Sequence, residues 1–179
     1  MQEIETKILE VDVKDIVFRM GKLGAQKLKQ GRLIVDWFGQ SGASANAQPW
    51  YLRIRKMEGQ KTELSWKSLP KVVGNTRQSK EINLEVDSFE NVFEFFQAIG
   101  FENYAHQEKD RTSWKFEEWN FDLDQYPGMP AYLEIEGKSE EHVAQAIKLL
   151  GLEKHDSVAE GERKLIEERY GLDWLNMRF

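Results

Sequence analysis

The segment Glu3-Ile4-Glu5-Thr6-Lys7 places a charged side chain at every second position near the start of the chain. Successive side chains of a β-strand point to opposite faces of the sheet, so the three charged residues would share one face. Ile4 and Ile8 would lie on the other face. The segment therefore predicts a strand with one charged and one apolar face.

The same alternation recurs in later segments, where charged residues keep one parity and apolar residues the other, with Asp110 as an exception. The charged positions are Arg53 and Arg55, Glu63 and Lys67, Glu81 and Glu85, Lys109 and Arg111, Asp122 and Asp124, and Glu134 and Glu136. Solvated strand faces usually carry polar residues without such order. The sorting indicates that these strands present their charges to one side of a common sheet.

Helical spacing of apolar residues predicts helices between the strands. The helices are expected over residues 13–23, 88–99, 139–150 and 157–170, and the strands over residues 3–9, 32–38, 50–57, 62–69, 80–86, 108–116, 119–124 and 131–136. Ser88 and Ser139 are suited to cap two of the helices. Residues 39–49 are small and polar and predict a loop, and residues 70–75 interrupt the strand pattern.

The charged strand faces have two interpretations. They would contact water if the sheet is open, which is the simpler reading for any single strand. They would line an interior if the sheet closes into a barrel, which also removes unpaired edges. A closed interior with separate cations and carboxylates would suit a polyanion chelated to a metal cation, since arginine and lysine bind phosphate and carboxylates bind Mg²⁺ or Mn²⁺.

Composition limits the class of protein. The chain has 179 residues, no cysteine and a formal net charge of −6. It is long enough for one domain, residues 1–179, without disulfides or thiolate metal sites. The sequence predicts no membrane span and no leader peptide, so a cytoplasmic protein is expected. The net charge argues against non-specific nucleic-acid binding.

The charged motifs together resemble the signatures of the CYTH superfamily, the triphosphate tunnel metalloenzymes. The resemblance covers about residues 1 to 136 and includes the ExExK pattern of Glu3, Glu5 and Lys7, followed in order by the paired charges given above. It implies an α+β fold, a closed antiparallel eight-stranded β-barrel with helices packed outside. The family often has a Tyr-aromatic-Asp pattern where this chain has Asp36-Trp37-Phe38.

The resemblance also implies roles for individual residues. The metal-side carboxylates are Glu3, Glu5, Glu134 and Glu136, with either Asp122 or Asp124, and the cofactor is Mg²⁺ or Mn²⁺. The phosphate-binding residues are Lys7, Arg53, Arg55, Lys67, Lys109 and Arg111. Glu81 and Glu85 are weaker matches that would support neighbouring arginines. Glu5 would act in catalysis through the metal, and Lys7 would act as a general base if neighbouring cations lowered its pKa.

The leading hypothesis for function is a metal-dependent triphosphatase that hydrolyses inorganic tripolyphosphate, a nucleoside triphosphate or thiamine triphosphate. The alternatives are a class IV adenylyl cyclase and a non-catalytic polyphosphate- or nucleotide-binding module. The expected partner is a triphosphate-containing small molecule, with no membrane and no specific nucleic acid, and a homodimer is compatible with an edge-free barrel. The charges of residues 160–169 either form a solvated helix face or close one tunnel mouth. Trp37 and Trp50 flank the predicted loop and are candidates to contact a base or ring.

Overall fold

Strands dominate the protein, and the computed structural model describes residues 2–40 and 49–179. The strands are β1 (Gln2–Ile8), β2 (Gln26–Gln40), β3 (Trp50–Met57), β4 (Thr62–Ser68), β5 (Lys71–Val73), β6 (Thr76–Val86), β7 (Phe101–Phe116), β8 (Trp119–Gln125), β9 (Tyr132–Gly137), β10 (Ser157–Val158) and β11 (Asn176–Met177). The helices are α1 (Val13–Leu23), α2 (Phe89–Ala98), α3 (Glu140–Leu149) and α4 (Glu162–Lys164), which continues as a π-helix over Leu165–Arg169. None of these helices is long and apolar enough to span a membrane.

Strand β1 closes the sheet because it pairs on both sides. It is antiparallel to β9 along one side and to β6 along the other. Between these neighbours the order continues through β8, β7, β2, β3 and β4, so eight antiparallel strands form a closed barrel. The predicted fold, a closed eight-stranded barrel with helices outside, is confirmed.

The helices begin and end where local chemistry predicts. The Asp12 carboxylate accepts a hydrogen bond of 2.8 Å from the backbone N–H of Asp15 and caps α1. Gly24 ends α1 with a φ of 76°, a backbone conformation that favours glycine. Ser88 and Ser139 cap α2 and α3 through their hydroxyl oxygens, as the sequence predicts. Capping fixes where each helix starts to cover the barrel.

The apolar strand faces point outward, and the helices cover most of them, whereas Ile82 and Leu84 on the outer face of β6 are exposed. Ile16 and Met20 of α1 and Val143 of α3 pack against Phe121 and Ile135, which lie on the outer face of β8 and β9. Helix α2 covers the outer face of β2 and β3 in a second cluster that contains Phe38, Ile54 and Phe96. Because the apolar side chains lie on the outer face, the charged side chains at the alternate positions face the barrel interior.

Several strands are longer than predicted. Strands β2, β6 and β7 begin before residues 32, 80 and 108, because long antiparallel pairing extends into stretches where polar residues hide the alternation. Residues 71–73 form β5 within the predicted interruption, and Ser157–Val158 is a strand rather than the start of the last helix. Gly39 and Gln40 belong to β2, and the rest of the predicted loop, residues 41–48, lies outside the described residues.

The interior face of β2 differs from the other strands because it is apolar from Leu33 to Trp37, while Lys29 near its start lines the cavity. Leu33 and Val35 pair with interior positions of β7, yet they pack with Met57 of β3 and with Leu165 and Ile166 of the C-terminal segment. The charged positions that the sequence predicts belong to the other seven strands of the barrel, and none was predicted on β2. The C-terminal residues fill this end of the interior.

Candidate active site in the barrel interior

The barrel encloses a cavity of about 850 Å³ that gathers most of the predicted site residues. The predicted residues that line it are Glu3, Glu5, Lys7, Arg53, Arg55, Lys67, Glu81, Lys109, Arg111, Asp122, Glu134 and Glu136. These positions come from seven strands and meet only because the sheet closes. Asp124 and Glu85 are the two predicted residues that do not line the cavity.

The two candidate aspartates occupy different positions. Asp122 lines the cavity and lies 2.6 Å from a terminal nitrogen of Arg111. Asp124 is fully buried behind the same arginine and accepts a hydrogen bond of 2.6 Å from Arg111 Nε, 2.8 Å from Lys109 Nζ and 3.1 Å from the hydroxyl of Tyr132. A fully buried carboxylate with three donors holds the cations in place. Of the two, Asp122 is the one that could reach a metal in the cavity.

Glu85 is not part of the interior set. Its side chain is mostly exposed and lies 3.0 Å from Lys61 Nζ in a surface ion pair. The expectation that Glu85 supports an interior arginine is therefore corrected. Glu81 does fulfil that expectation, since it lies 3.3 Å from Arg53 and 3.8 Å from Arg55.

Lys7 lies almost fully buried between two carboxylates. Its Nζ is 2.9 Å from Glu134 and 3.4 Å from Glu5. Burial alone would lower the pKa of Lys7, but the carboxylates of Glu134 and Glu5 outweigh burial and raise that pKa above its usual value. A general base at neutral pH would need a lowered pKa. These two carboxylates favour a protonated Lys7, whose position suits a phosphate-binding cation, and the role of Lys7 as a general base stays a prediction.

The carboxylates of β1 and β9 concentrate negative charge at one part of the cavity. Glu5 is directly opposite Glu136 in the strand register. Burial and the neighbouring Glu134 raise the pKa of Glu5. Burial, together with Glu3, Glu134 and Glu5, raises the pKa of Glu136 to about 7, although a hydrogen bond from Asn120 opposes this. Such crowding favours the arrival of a cation.

The donor chemistry fits Mg²⁺ or Mn²⁺, which prefer carboxylate oxygens. Within residues 2–40 and 49–179, however, no three acidic or histidine side chains already stand at metal-binding spacing. Lys67 forms ion pairs with Glu3 and Glu5, and Lys7 forms one with Glu134. The carboxylates would have to turn away from these lysines to hold a metal.

The six interior cations that the motifs contain are neutralised within the protein. Arg55 forms an ion pair with Glu63, and the arginine together with the Ser65 hydroxyl outweighs burial and lowers the pKa of Glu63 to about 2. Lys109 lies between Asp124 and Glu162. A phosphate group that enters would replace carboxylates as the partner of these cations.

Glu162, which belongs to none of the sequence motifs, reaches the interior from α4. Its carboxylate accepts hydrogen bonds from the hydroxyls of Tyr132 at 2.7 Å and Tyr126 at 3.1 Å, and from Lys109. Burial opposes ionisation, but Lys109 and Lys7 hold the pKa of Glu162 well below its usual value. The charges of residues 160–169 have two interpretations, and the position of Glu162 agrees with the one in which they close one end of the tunnel.

Aromatic side chains line the end of the cavity near the C-terminal segment. The rings of Trp37 and Trp174 are 5.2 Å apart, Tyr51 lies 6.0 Å from Trp37, and Tyr104 lies 6.4 Å from Trp174. Trp37 thus has the cavity position expected from its sequence neighbourhood. Trp50 does not line the cavity and packs against Phe101 instead.

Comparison with solved structures shows the same fold in other proteins. A conserved hypothetical protein from Pyrococcus furiosus has a TM-score of 0.74 and 22% identity, covering 92% of this chain and 99% of that chain. A candidate adenylate cyclase from Vibrio parahaemolyticus has a TM-score of 0.79 and 12% identity, covering 92% and 97%. A candidate adenylyl cyclase from Hippeastrum, reported to have a dominant triphosphatase activity, has a TM-score of 0.68 and 19% identity, covering 98% and 100%.

A search among curated proteins found no match. The family model of the CYTH domain matches residues 1–162, which include every interior strand and reach Glu162 on α4. The closed barrel with its charged interior and the family match agree on one conclusion: the chain belongs to the CYTH domain family.

Proposed function

We propose that this protein is a metal-dependent triphosphatase that hydrolyses inorganic tripolyphosphate, a nucleoside triphosphate or thiamine triphosphate. The observation that carries the proposal is the row of interior cations beside the carboxylates of β1 and β9. The cations are Lys7, Arg53, Arg55, Lys67, Lys109 and Arg111. A closed barrel with this interior offers a triphosphate several cationic contacts at once. The activity reported for the Hippeastrum neighbour is consistent with the proposal.

The chemistry requires positioning and charge neutralisation more than covalent catalysis. Arg111 is oriented by a two-point hydrogen-bond contact with Asp124, which fixes its guanidinium toward the cavity. A protonated Lys7 would neutralise phosphate charge. Mg²⁺ or Mn²⁺ held by Glu3, Glu5, Glu134 and Glu136, with Asp122 as a further ligand, would polarise phosphate oxygens and assist the attacking water. The protein itself supplies a tunnel that fixes the substrate.

A second candidate function is a class IV adenylyl cyclase, in which the ribose 3′-oxygen attacks the α-phosphorus and pyrophosphate leaves. The aromatic end of the cavity is compatible with this candidate, because Trp37, Tyr51, Tyr104 and Trp174 could contact a nucleobase. The neighbour from Vibrio parahaemolyticus carries the corresponding name. The aromatic rings also suit thiamine, so they do not by themselves favour cyclisation over hydrolysis.

Product analysis separates these functions. Purified protein is incubated with tripolyphosphate, ATP or thiamine triphosphate and with Mg²⁺ or Mn²⁺, and orthophosphate, pyrophosphate and cyclic AMP are quantified. Release of orthophosphate is expected. Cyclic AMP with pyrophosphate would establish the cyclase instead. Tight binding of the triphosphates without turnover under either metal would indicate a non-catalytic binding module.

A further inference from the structure

Three buried N–H groups have no hydrogen-bond partner within the described parts of the chain. They are Arg53 Nε, Arg77 Nε and Trp174 Nε1. All three residues line the tunnel cavity, and all three atoms are donors. Buried donors are normally paired, because an unmade hydrogen bond leaves the cost of desolvation without compensation. The set indicates a missing partner that offers acceptor oxygens.

The three donors come from β3, β6 and the C-terminal segment, and each lies beside a residue at the end of the cavity near that segment. Arg53 lies with its guanidinium carbon 5.2 Å from the ring centre of Trp37, and Trp37 in turn lies 5.2 Å from Trp174. Arg77 passes close to the backbone of Gly161, where an added Cβ would be 2.8 Å from a terminal nitrogen of the guanidinium. The absence of a side chain at Gly161 thus makes room for Arg77 at this end of the tunnel.

Arg77 differs electrostatically from the cations that the motifs contain. The six motif cations each have a carboxylate within ion-pair distance, as Arg53 has Glu81 and Lys67 has Glu3. Arg77 is directly opposite Glu5 in the strand register, but no carboxylate of residues 2–40 or 49–179 forms an ion pair with it. Its positive charge is therefore available to an anion in the cavity.

Trp174 is held rigidly although its indole N–H is unpaired. The residue is 4% exposed, and its backbone oxygen accepts a hydrogen bond of 2.8 Å from Gln107. Gln107 also accepts a hydrogen bond of 2.8 Å from the indole of Trp37. The ring of Trp174 therefore has a fixed place beside the cavity, with a donor that water reaches poorly.

We propose that Arg53, Arg77 and Trp174 form a subsite for one phosphate group of the bound triphosphate, at the end of the tunnel closed by the C-terminal segment. Two guanidinium groups and an indole N–H match a ligand that has only acceptor oxygens and a negative charge. The inference rests on the proposed function, since it assigns additional residues to the same tunnel. Arg77 and Trp174 lie outside the sequence motifs, and Trp174 lies beyond the residues that the family model matches.

Binding without divalent cations tests the subsite. Dissociation constants for tripolyphosphate and pyrophosphate are measured by calorimetry for the unmodified protein, for Trp174→Phe, which keeps a ring but removes the donor, and for Arg77→Lys, which keeps the charge but removes Nε. Tripolyphosphate affinity is expected to fall about tenfold in each variant, the typical size for a hydrogen bond to a charged group. Pyrophosphate can use the remaining cations, so its affinity is expected to change less than about threefold.

The matched control is Trp119→Phe. Trp119 also donates through its indole, to the backbone oxygen of His142 at 2.9 Å, and it lies outside the cavity. This control is expected to leave both affinities unchanged. Equal losses for tripolyphosphate and pyrophosphate in Trp174→Phe and Arg77→Lys, or no loss in either variant, would overturn the subsite.

The indole N–H resonance of Trp174 gives a readout on the unmodified protein. Adding tripolyphosphate is expected to move this resonance downfield as the donor gains an acceptor, and an unchanged resonance under saturation would overturn the assignment. Failure of the unmodified protein to bind any triphosphate would refute the proposed function as well. Binding with unaffected variants would refute the subsite alone.

Discussion

Two buried carboxylates of the barrel interior have opposite electrostatic surroundings. Glu5 has Glu134 and Glu3 as neighbours, and burial together with these charges raises its pKa. Asp124 instead accepts hydrogen bonds from Arg111 and Tyr132 and forms an ion pair with Lys109. Repulsion around Glu5 is a cost that a bound cation would relieve, whereas the contacts of Asp124 stabilise the fold itself.

Replacing Glu5 should therefore separate activity from stability. Glu5→Gln is expected to abolish orthophosphate release while changing the melting temperature little, because the substitution removes one charge from a repulsive cluster and Lys7 keeps Glu134 as a partner. The matched control is Asp124→Asn, which leaves buried cations poorly paired and should cost several kcal/mol, about 3–5 for a broken buried pair. Thermal unfolding of both variants checks this. A large loss of stability in Glu5→Gln would show that Glu5 serves mainly in a structural ion pair.

The ion pair of Glu63 with Arg55 predicts how stability depends on pH. The pKa of Glu63 is lowered to about 2 in the folded protein from an ordinary value of 4.5. A lowered pKa stabilises the fold above the ordinary value, and this contribution is lost as pH falls from about 4.5 to about 2. We expect Glu63→Gln to flatten the pH dependence of the free energy of unfolding in that window. Parallel curves for the variant and the unmodified protein, measured by denaturant titration, would contradict the pairing.

The interior positions of most strand residues could be predicted from the sequence, because side chains two positions apart in a β-strand lie on the same face. The interior positions of Glu162, Arg77 and Trp174 could not be predicted in this way. Glu162 and Trp174 follow no strand pattern and reach the interior only through tertiary packing of the C-terminal segment. Arg77 lies in the part of β6 that precedes the predicted strand. The choice between Asp122 and Asp124 required the position of Arg111, which spacing alone does not give.

At the scale of elements, the C-terminal segment from Gly161 to Met177 closes one end of the barrel. Leu165 and Ile166 pack on the apolar face of β2, and β11 adds to β7 as a parallel strand. Glu162 extends from the same segment to Lys109. The segment thus contributes both the apolar packing of this end and a carboxylate beside a phosphate-binding candidate.

Neutralising Glu162 should strengthen triphosphate binding. In Glu162→Gln the interior loses a negative charge that competes with phosphate for Lys109. The amide oxygen can still accept a hydrogen bond from one of the hydroxyls of Tyr126 and Tyr132, and the amide NH2 can donate to the other. We expect the dissociation constant of tripolyphosphate to decrease severalfold and the melting temperature to fall, because the ion pair with Lys109 is lost. Calorimetry and thermal unfolding measure the two effects. Weaker binding in this variant would show that Glu162 itself helps to bind substrate.

At the scale of the whole molecule, closure of the sheet through β1 and β6 gives the cavity its walls. Closure predicts slow hydrogen exchange for the amides of β1, in which residues 2–5 pair with β6 on one side and residues 4–8 pair with β9 on the other. The amides of this segment should be as protected as those in the middle of β8. Rapid exchange along one side of β1, measured by NMR or mass spectrometry, would show an open edge there and contradict the barrel.

The closure of the sheet could not be predicted from the alternation of charged and apolar side chains. Alternation predicted one polar side of a sheet, and both an open and a closed sheet satisfy it. The decisive contact joins Glu3 to Ser79 and Ile4 to Gln78, residues that are far apart along the chain and carry no local signal for pairing. The barrel was predicted from the resemblance of the charged motifs to a known family. We propose that residues 1–179 form a single domain around this barrel.

Three lysines of the tunnel are paired with carboxylates of the same chain, which act as their counter-ions. A triphosphate that enters would displace the carboxylates from Lys7, Lys67 and Lys109. The displaced glutamates of β1 and β9 would then be free to take up a divalent cation at that moment. Exchange of this kind couples the loading of anion and cation, so each should raise the affinity of the protein for the other.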